Sequence, residues 1–271
     1  QHGHDIEALQ LFEEMMHCDG VEPNEATFGS VLKVCVGLRD LRKGKFIHHC
    51  IVEFGFESHV VDGNVLLDVY GRYGSMEDAE KIFLTMPKQD VATWNAMINL
   101  YVSYNQEVNA FHCFVTMRES GVLPNKITLI GMLCICSTYD MLGLGEWLHS
   151  LIVDLDLDLD DVAMCNALLS MYGKCGKSDE AAQVFDNMAC RNSVAWNAMI
   201  AGYVQHGQEH EALNSFERLR TEGFLPNAVT FTCILKACGS VGAIDKGKQI
   251  HDEIVNLGLL KEDLVLGNAL V

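Results

Sequence analysis

Residues 91–104 read VATWNAMINLYVSY, and residues 193–206 read SVAWNAMIAGYVQH. The second copy lies 102 residues after the first. Working outward, GNVLLDVYGRYGSMEDAEKIFLTM at 63–86 returns at the same offset as CNALLSMYGKCGKSDEAAQVFDNM at 165–188. A third copy of that string begins at Gly267. A further series, EATFGSVLKVC at 25, KITLIGMLCIC at 126 and AVTFTCILKAC at 228, is spaced 101 and 102 residues apart. Self-similarity at a fixed period is the signature of a repeat architecture, so it decides the fold class before any single motif does.

Each unit reads as two helices. In the unit from Val60, apolar residues run at helical spacing from Val61 to Tyr73, and Gly74 suits the left-handed turn after a helix. Ser75 stands three residues before Asp78, a variant of the capping box. Ala79, Ile82, Phe83 and Met86 then fall on one face, with Pro87 ending the pattern. The unit from Val162 repeats this with Gly176, Ala181, Val184, Phe185 and Met188. One such hairpin cannot cover its own apolar face, whereas stacked neighbours share a continuous core. The expected fold is all-α, an α-solenoid of stacked helix-turn-helix repeats without strands.

Composition agrees. Of 271 residues, 49% are hydrophobic and 21% charged, which is globular and not disordered. Pro-rich and collagen-like classes do not fit 4 prolines and 23 glycines. No apolar run is long enough for a spanning helix, so no membrane partner is expected. The 11 cysteines include no C-x-x-C pair, which points to a reducing compartment and thiols used as small core residues. The net charge of −18, taken alone, disfavours a nucleic-acid partner. The sequence opens in helical phase at Gln1 and stops in mid-pattern at Val271, so we read it as part of a longer protein; the lack of a targeting segment then says nothing about compartment.

These strings carry a family resemblance. The whole chain resembles plant pentatricopeptide repeat proteins of the type that alternates three motif variants, P, L and S. The signatures WNAMI and NALLSMYGKCG recur in phase. The motifs run 25–59 (L), 60–90 (S), 91–125 (P), 126–161 (L), 162–192 (S), 193–227 (P) and 228–263 (L). Residues 1–24 resemble the end of a P motif, and 264–271 the start of an S motif. FEEMMHCDGVEPN is one residue longer than FERLRTEGFLPN, so the first partial motif departs from the pattern by an insertion.

The resemblance implies a right-handed solenoid that binds single-stranded organellar RNA, about one base per repeat. It also implies that the fifth and last residues of each motif choose the base. One helical repeat can offer two or three side chains to the edge of an unstacked base. The implied pairs are Asn64 with Asp90, Asn95 with Asn125, Asn166 with Asn192, and Asn197 with Asn227. Asn268 opens a further S motif. In the family, Asn at the fifth position favours pyrimidines, Asn with Asp leaning to U. The L motifs carry Gly29 with His59, Ile130 with Asp161, and Thr232 with Asp263. Of these only Thr232 with Asp263 resembles a reading pair, one that prefers G. The implied site from residue 25 is N-U-Y-N-Y-Y-(G or N)-Y.

Apolar second residues should flank the bases: Val61, Ala92, Ala163, Val194, Val229 and Val265. Arg72 and Lys174, eight positions after Asn64 and Asn166, are candidate phosphate contacts. The ordinary alternatives are a helix cap for any one asparagine and a solvated charge for Arg72 or Lys174. Five asparagines in phase favour the reader role. Acidic runs EDAE, DEAA and EHEA fall on second helices, which separates the negative charge from a first-helix binding face.

No cofactor, metal site or enzyme activity is expected. Cys35, Cys136 and Cys238 are each the eleventh residue of an L motif, and His48, His149 and His251 each the twenty-fourth, so periodic packing explains them better than a catalytic pair. Cys134, Cys136 and His149 lack a second C-x-x-C half for a metal. DLDLDLDD at 154–161 lacks the glycine and glutamate of a calcium loop. Neither H-x-E nor C-x-x-C of a zinc deaminase occurs, so any deaminase-like domain, or separate editing cofactors, would lie outside these residues. The expected role is the recognition tract of an organellar RNA-processing or C-to-U editing factor, mitochondrial ahead of plastid. The competing reading is a protein-binding α-solenoid scaffold, which has no reason to place Asn at both the fifth and last positions.

Overall fold

The computed structural model describes residues 2–18, 21–38, 40–56, 60–73, 76–86, 88–157 and 161–259. Among them are fifteen α-helices and no strand. The chain divides into two compact units, 1–131 and 132–271.

The first unit begins with α1 (His2–His17). Hairpins follow from α2 (Glu25–Leu38) and α3 (Leu41–Glu53), then α4 (Val60–Tyr73) and α5 (Met76–Thr85), then α6 (Val91–Ser103) and α7 (Glu107–Glu119). The first helices α2, α4 and α6 pack on one another in series, and α3 and α5 also pack on the next first helix. This gives two layers of helices with a shared core, the reason one hairpin suffices as a repeat but not as a domain. Phe28, Leu32, Leu67, Ile98 and Phe114 lie in that core. Ala79, Ile82, Phe83 and Met86 of the expected apolar face are all buried. Helix α8 (Lys126–Tyr139) begins in this unit and ends in the next.

The second unit continues with α9 (Leu142–Asp154), α10 (Val162–Lys174), α11 (Ser178–Asn187), α12 (Ser193–Gln205), α13 (Glu209–Thr221), α14 (Ala228–Val241) and α15 (Ile244–Asn256). Here α10, α12 and α14 pack in series, and α11 and α13 bridge to the next first helix. In each unit an aromatic of a second helix meets the tryptophan of the following first helix edge-on. Phe83 and Trp94 stand 4.8 Å apart, Phe185 and Trp196 4.5 Å. Such pairs add about 0.5–1.5 kcal/mol beyond their burial.

Helix ends obey the left-handed turn rule. Gly176 follows α10 with φ +74°, a conformation that side chains with a Cβ resist. Asn105 after α6 has φ 53°, where the second copy has Gly207 at 71°. Asparagine tolerates that region through its short polar side chain.

Several expectations need correction or fall elsewhere. His251 is exposed and does not share the packing of its counterparts. His48 Nδ1 meets the Tyr70 hydroxyl at 2.9 Å and His149 Nδ1 that of Tyr172 at 2.8 Å. Val184 is only half-buried. Gly74, Ser75 and Pro87 lie outside the described residues. The acidic runs at 77–80, 179–182 and 209–212 lie on α5, α11 and α13.

Candidate nucleic-acid interface

The last-position residues are helix caps. Asp90 Oδ1 accepts the Thr93 N–H at 2.9 Å, Asn125 Oδ1 that of Thr128 at 3.1 Å, and Asn192 Oδ1 that of Ala195 at 2.8 Å. Asn227 Oδ1 accepts from Thr230 N at 3.0 Å, and Asp161 from Ala163 N and Met164 N at 3.1 and 3.0 Å. A cap of this kind stabilises by about 1 kcal/mol. The ordinary role of an Asn at a helix start is therefore real at these positions. It also holds each side chain in one place at the head of the next first helix.

The fifth residues reach those caps from the preceding helix. Asn95 Nδ2 donates to Asn125 Oδ1 at 3.0 Å, and Asn197 Nδ2 to Asn227 Oδ1 at 3.3 Å. The cap settles which way each amide points. Asn125 Oδ1 accepts a backbone N–H, so only the amino group of Asn95 can approach it. The carbonyl of Asn95 then accepts the Thr128 hydroxyl at 2.5 Å, and that of Asn197 the Thr230 hydroxyl at 2.7 Å. Asn95 is 6% exposed. In the S motifs Asn64 hydrogen-bonds Asp90. The Oδ1 atoms of Asn64 and Asn166 are buried without a hydrogen-bond partner among the described residues.

Burial pushes the Asp90 carboxyl up, but the Thr93 N–H and hydroxyl, the Asn64 side chain and the Ala92 N–H together outweigh it. Its pKa therefore lies below the ordinary carboxylate value, and Asp90 is an anion at neutral pH.

The described second residues face solvent. Val194 is 55% exposed and Val229 56%, and Ala92 and Ala163 are exposed as well. Sequence reasoning missed two of the series, Ala26 and Ile127, the latter 53% exposed. The signal was available, because both are second residues of motifs already delimited. Isolated exposed aliphatics are commonplace. Here they recur at one register position, the second residue of each motif.

The charged candidates differ. Arg72 pairs with Asp68 one turn back on α4. Lys174, exposed at the end of α10, has no ion-pair partner among the described residues. Thr232 donates its hydroxyl to the Ala228 carbonyl at 2.8 Å, which leaves it only acceptor capacity. Gly29 and Ile130 are half-buried. His59, Asp263, Val265 and Asn268 lie outside the described residues, as does the side chain of Val61.

Burial pushes the Cys35 thiol up to about 11 and the Cys113 and Cys136 thiols up to about 12. Thiols held that far above neutral pH are poor nucleophiles. Burial lowers the pKa of His149. No three His, Cys, Asp or Glu among the described residues could hold a metal ion, so Cys134, Cys136 and His149 do not form a site. Asp156 is in a left-handed turn and Asp161 is a cap, which accounts for the described ends of the acidic run. No helix among the described residues is long and apolar enough to cross a membrane.

Comparison with known proteins bears on the same residues. The PPR repeat family matches residues 89–137 and 191–240, and the PPR repeat matches 64–91, 163–193 and 229–259. A mitochondrial pentatricopeptide repeat-containing protein of Arabidopsis thaliana is 38% identical over 91% of this chain and 29% of its own length. Another from the same plant, named chloroplastic/mitochondrial, is 36% identical over 93% of this chain and 41% of its own. The chain thus spans less than half the length of these relatives. The crystal structure of the pentatricopeptide repeat protein PPR10 in complex with an 18-nt psaJ RNA element superposes with a TM-score of 0.83. It covers 99% of this chain and 40% of that one at 20% identity, a likeness of fold. With the period, the hairpins and these matches in agreement, the chain belongs to the pentatricopeptide repeat family.

Proposed function

We propose that this chain binds single-stranded RNA in a sequence-specific manner, about one base per repeat, at a pyrimidine-rich site. The observation that carries the reading is the convergence of fifth and last side chains. Asn95 meets Asn125, and Asn197 meets Asn227, across the gap between successive first helices. Two side chains from one repeat are then held at one point, beside exposed aliphatics able to pack on a base. A protein-binding scaffold needs no such coupling. The reading assigns U to Asn64 with Asp90, and either pyrimidine to Asn95 with Asn125, Asn166 with Asn192, and Asn197 with Asn227. Gly29 and Ile130 offer no hydrogen bond, so the L motifs at 25 and 126 tolerate any base. Thr232 with Asp263 is the one L pair assigned a preference, for G.

The P, L and S alternation supports a role as the recognition tract of an organellar RNA-processing factor, with C-to-U editing as its most specific form. Relatives named mitochondrial and chloroplastic support an organellar address. Editing cofactors or a deaminase-like domain would supply the chemistry. The test is a titration against RNAs that match the site N-U-Y-N-Y-Y or carry one purine. A purine facing residues 91–125 or 193–227 should cost about 1–3 kcal/mol, and a change facing 126–161 almost nothing. Equal binding to every sequence would overturn the reading.

A further inference from the structure

The fifth and last residues are not the whole of the paired site. Each P-motif asparagine has a third partner, contributed by the motif that follows. Thr128 and Thr230 are the third residues of their motifs, and both are buried. The Thr128 hydroxyl accepts the Asn125 N–H at 3.1 Å and donates to Asn95 Oδ1 at 2.5 Å. Thr230 does the same with Asn227 N at 3.1 Å and Asn197 Oδ1 at 2.7 Å. The arrangement thus occurs twice, once in each unit.

The S motifs supply a built-in contrast. Thr93 occupies the equivalent place beside Asn64, and its hydroxyl reaches Asp90 Oδ1 at 3.0 Å, the cap contact that Thr128 and Thr230 also make with Asn125 and Asn227 at 3.1 and 3.0 Å, but it does not reach the Asn64 carbonyl. Ala195 occupies it beside Asn166 and has no hydroxyl. In both cases the asparagine carbonyl is buried without a partner. The contact is therefore specific to the P motifs and does not follow automatically from having a threonine.

We propose that Thr128 and Thr230 are positioning residues for base recognition. Each holds the carbonyl of the preceding fifth-position asparagine, so that the amide cannot rotate. This rests on the RNA reading given above. With the carbonyl held by the hydroxyl and one Nδ2 proton on the cap, the second Nδ2 proton is the donor offered to a base. A lone donor suits the O2 acceptor that cytosine and uracil share. In the P motifs the donor is thus fixed by a residue outside the motif that reads.

The test compares Thr128→Val with Thr93→Val. Both remove a hydroxyl from a capping box, but only the first removes a contact to a fifth-position asparagine. Thr128→Val should cut the preference for pyrimidine over purine at the nucleotide facing residues 91–125 by about tenfold, the order expected when a buried polar group loses its partner. Thr93→Val should leave selectivity at its own nucleotide unchanged, and Thr128→Ser should restore the preference. A second readout needs no RNA. In the labelled protein the Asn95 side-chain amide should give one fixed pair of resonances with cross-peaks to Thr128, and these should broaden or shift in Thr128→Val. If selectivity and amide signals survive Thr128→Val, the positioning role is wrong. If the amide signals change but the unsubstituted protein binds no RNA, the RNA reading fails and takes the recognition role of Thr128 with it, while Thr128 still holds the amide.

Discussion

Residues 60–125 and 162–227 are two versions of one design, and they differ in telling places. Asn64 and Asn166, Asn95 and Asn197, Asn125 and Asn227 are unchanged, as are the Phe–Trp contacts behind them. The packing between first helices is not. In the first version Leu100 of α6 fills the space over Gly71, so close that a Cβ on Gly71 would stand 2.0 Å from it. In the second version Gly202 faces Gly173, and a Cβ on Gly202 would stand 3.0 Å from the Gly173 Cα. One interface fills a gap with a side chain, and the other removes the side chain so that backbones meet. Both deliver the same asparagines to the heads of the next helices. The difference teaches that two unlike interfaces can hold these asparagines at the same helix heads.

The largest effect should come from exchanging the two solutions. Gly202→Leu would drive a side chain into the backbone of α10, which cannot swing aside as a side chain can. We expect a loss of about 3 kcal/mol or more. Leu100→Gly in the first version would instead leave a cavity over Gly71 and remove helix propensity, costing about 3–5 kcal/mol. Denaturant unfolding of each variant measures both. A neutral Gly202→Leu would mean that α10 and α12 do not approach as closely as described.

Next in size is a change at the kept residues. Asn95→Thr removes the amide that reaches Asn125 and shortens the side chain, which makes room for a larger ring. The family's code implies a switch from pyrimidine to adenine at the third nucleotide alone, worth about 1–3 kcal/mol. Asn197→Thr should do the same at the sixth. Titration against four RNAs that differ at one base decides it. Retained pyrimidine preference, or equal loss for all four, would make Asn95 a purely structural residue.

Much of this was legible in the sequence, for physical reasons. The hairpins were legible because apolar spacing, glycine turns and a period of about a hundred residues all impose the same answer. The pairing of fifth with last residues followed only from the family resemblance, since residues 30 apart in sequence give no local sign of contact. The roles of Thr128 and Thr230 were not legible. A threonine at the third helical position reads as an ordinary capping-box residue, and only the fold brings its hydroxyl against the asparagine carbonyl of the previous motif. Arg72 and Lys174 looked equivalent by register, but the residue one turn earlier is Asp68 in one case and Ser170 in the other.

That last contrast gives a smaller prediction. Lys174→Ala should weaken binding to all RNAs alike and reduce the log–log salt slope by about 0.7. Arg72→Ala should reduce it less, because Asp68 competes for the guanidinium. Asp68→Ser, which installs the residue of the second version, should bring the effect of Arg72→Ala up to that of Lys174→Ala. A loss that depends on RNA sequence would mean that these residues touch bases.

The smallest effect separates the two S-motif caps by pH. Asp90 titrates and Asn192 does not. The folded pKa of Asp90 lies below its ordinary value of about 3.9. Its ionised form therefore adds stability above that value, and the contribution fades as pH falls through the folded pKa. Asp90 is exposed, so solvent screening keeps the effect below about 1 kcal/mol. Asp90→Asn keeps an oxygen for the Thr93 N–H but removes the charge. The variant should melt slightly below the unsubstituted protein at pH 7, and the gap should close as pH drops below the ordinary carboxylate value. Asn192→Asp should behave in the opposite sense, gaining a pH dependence that the second version lacks. The background of other carboxylates cancels when each variant is compared with its parent at the same pH. A melting gap that stays constant across that range would show that Asp90 caps α6 through its oxygen alone, with no contribution from its charge.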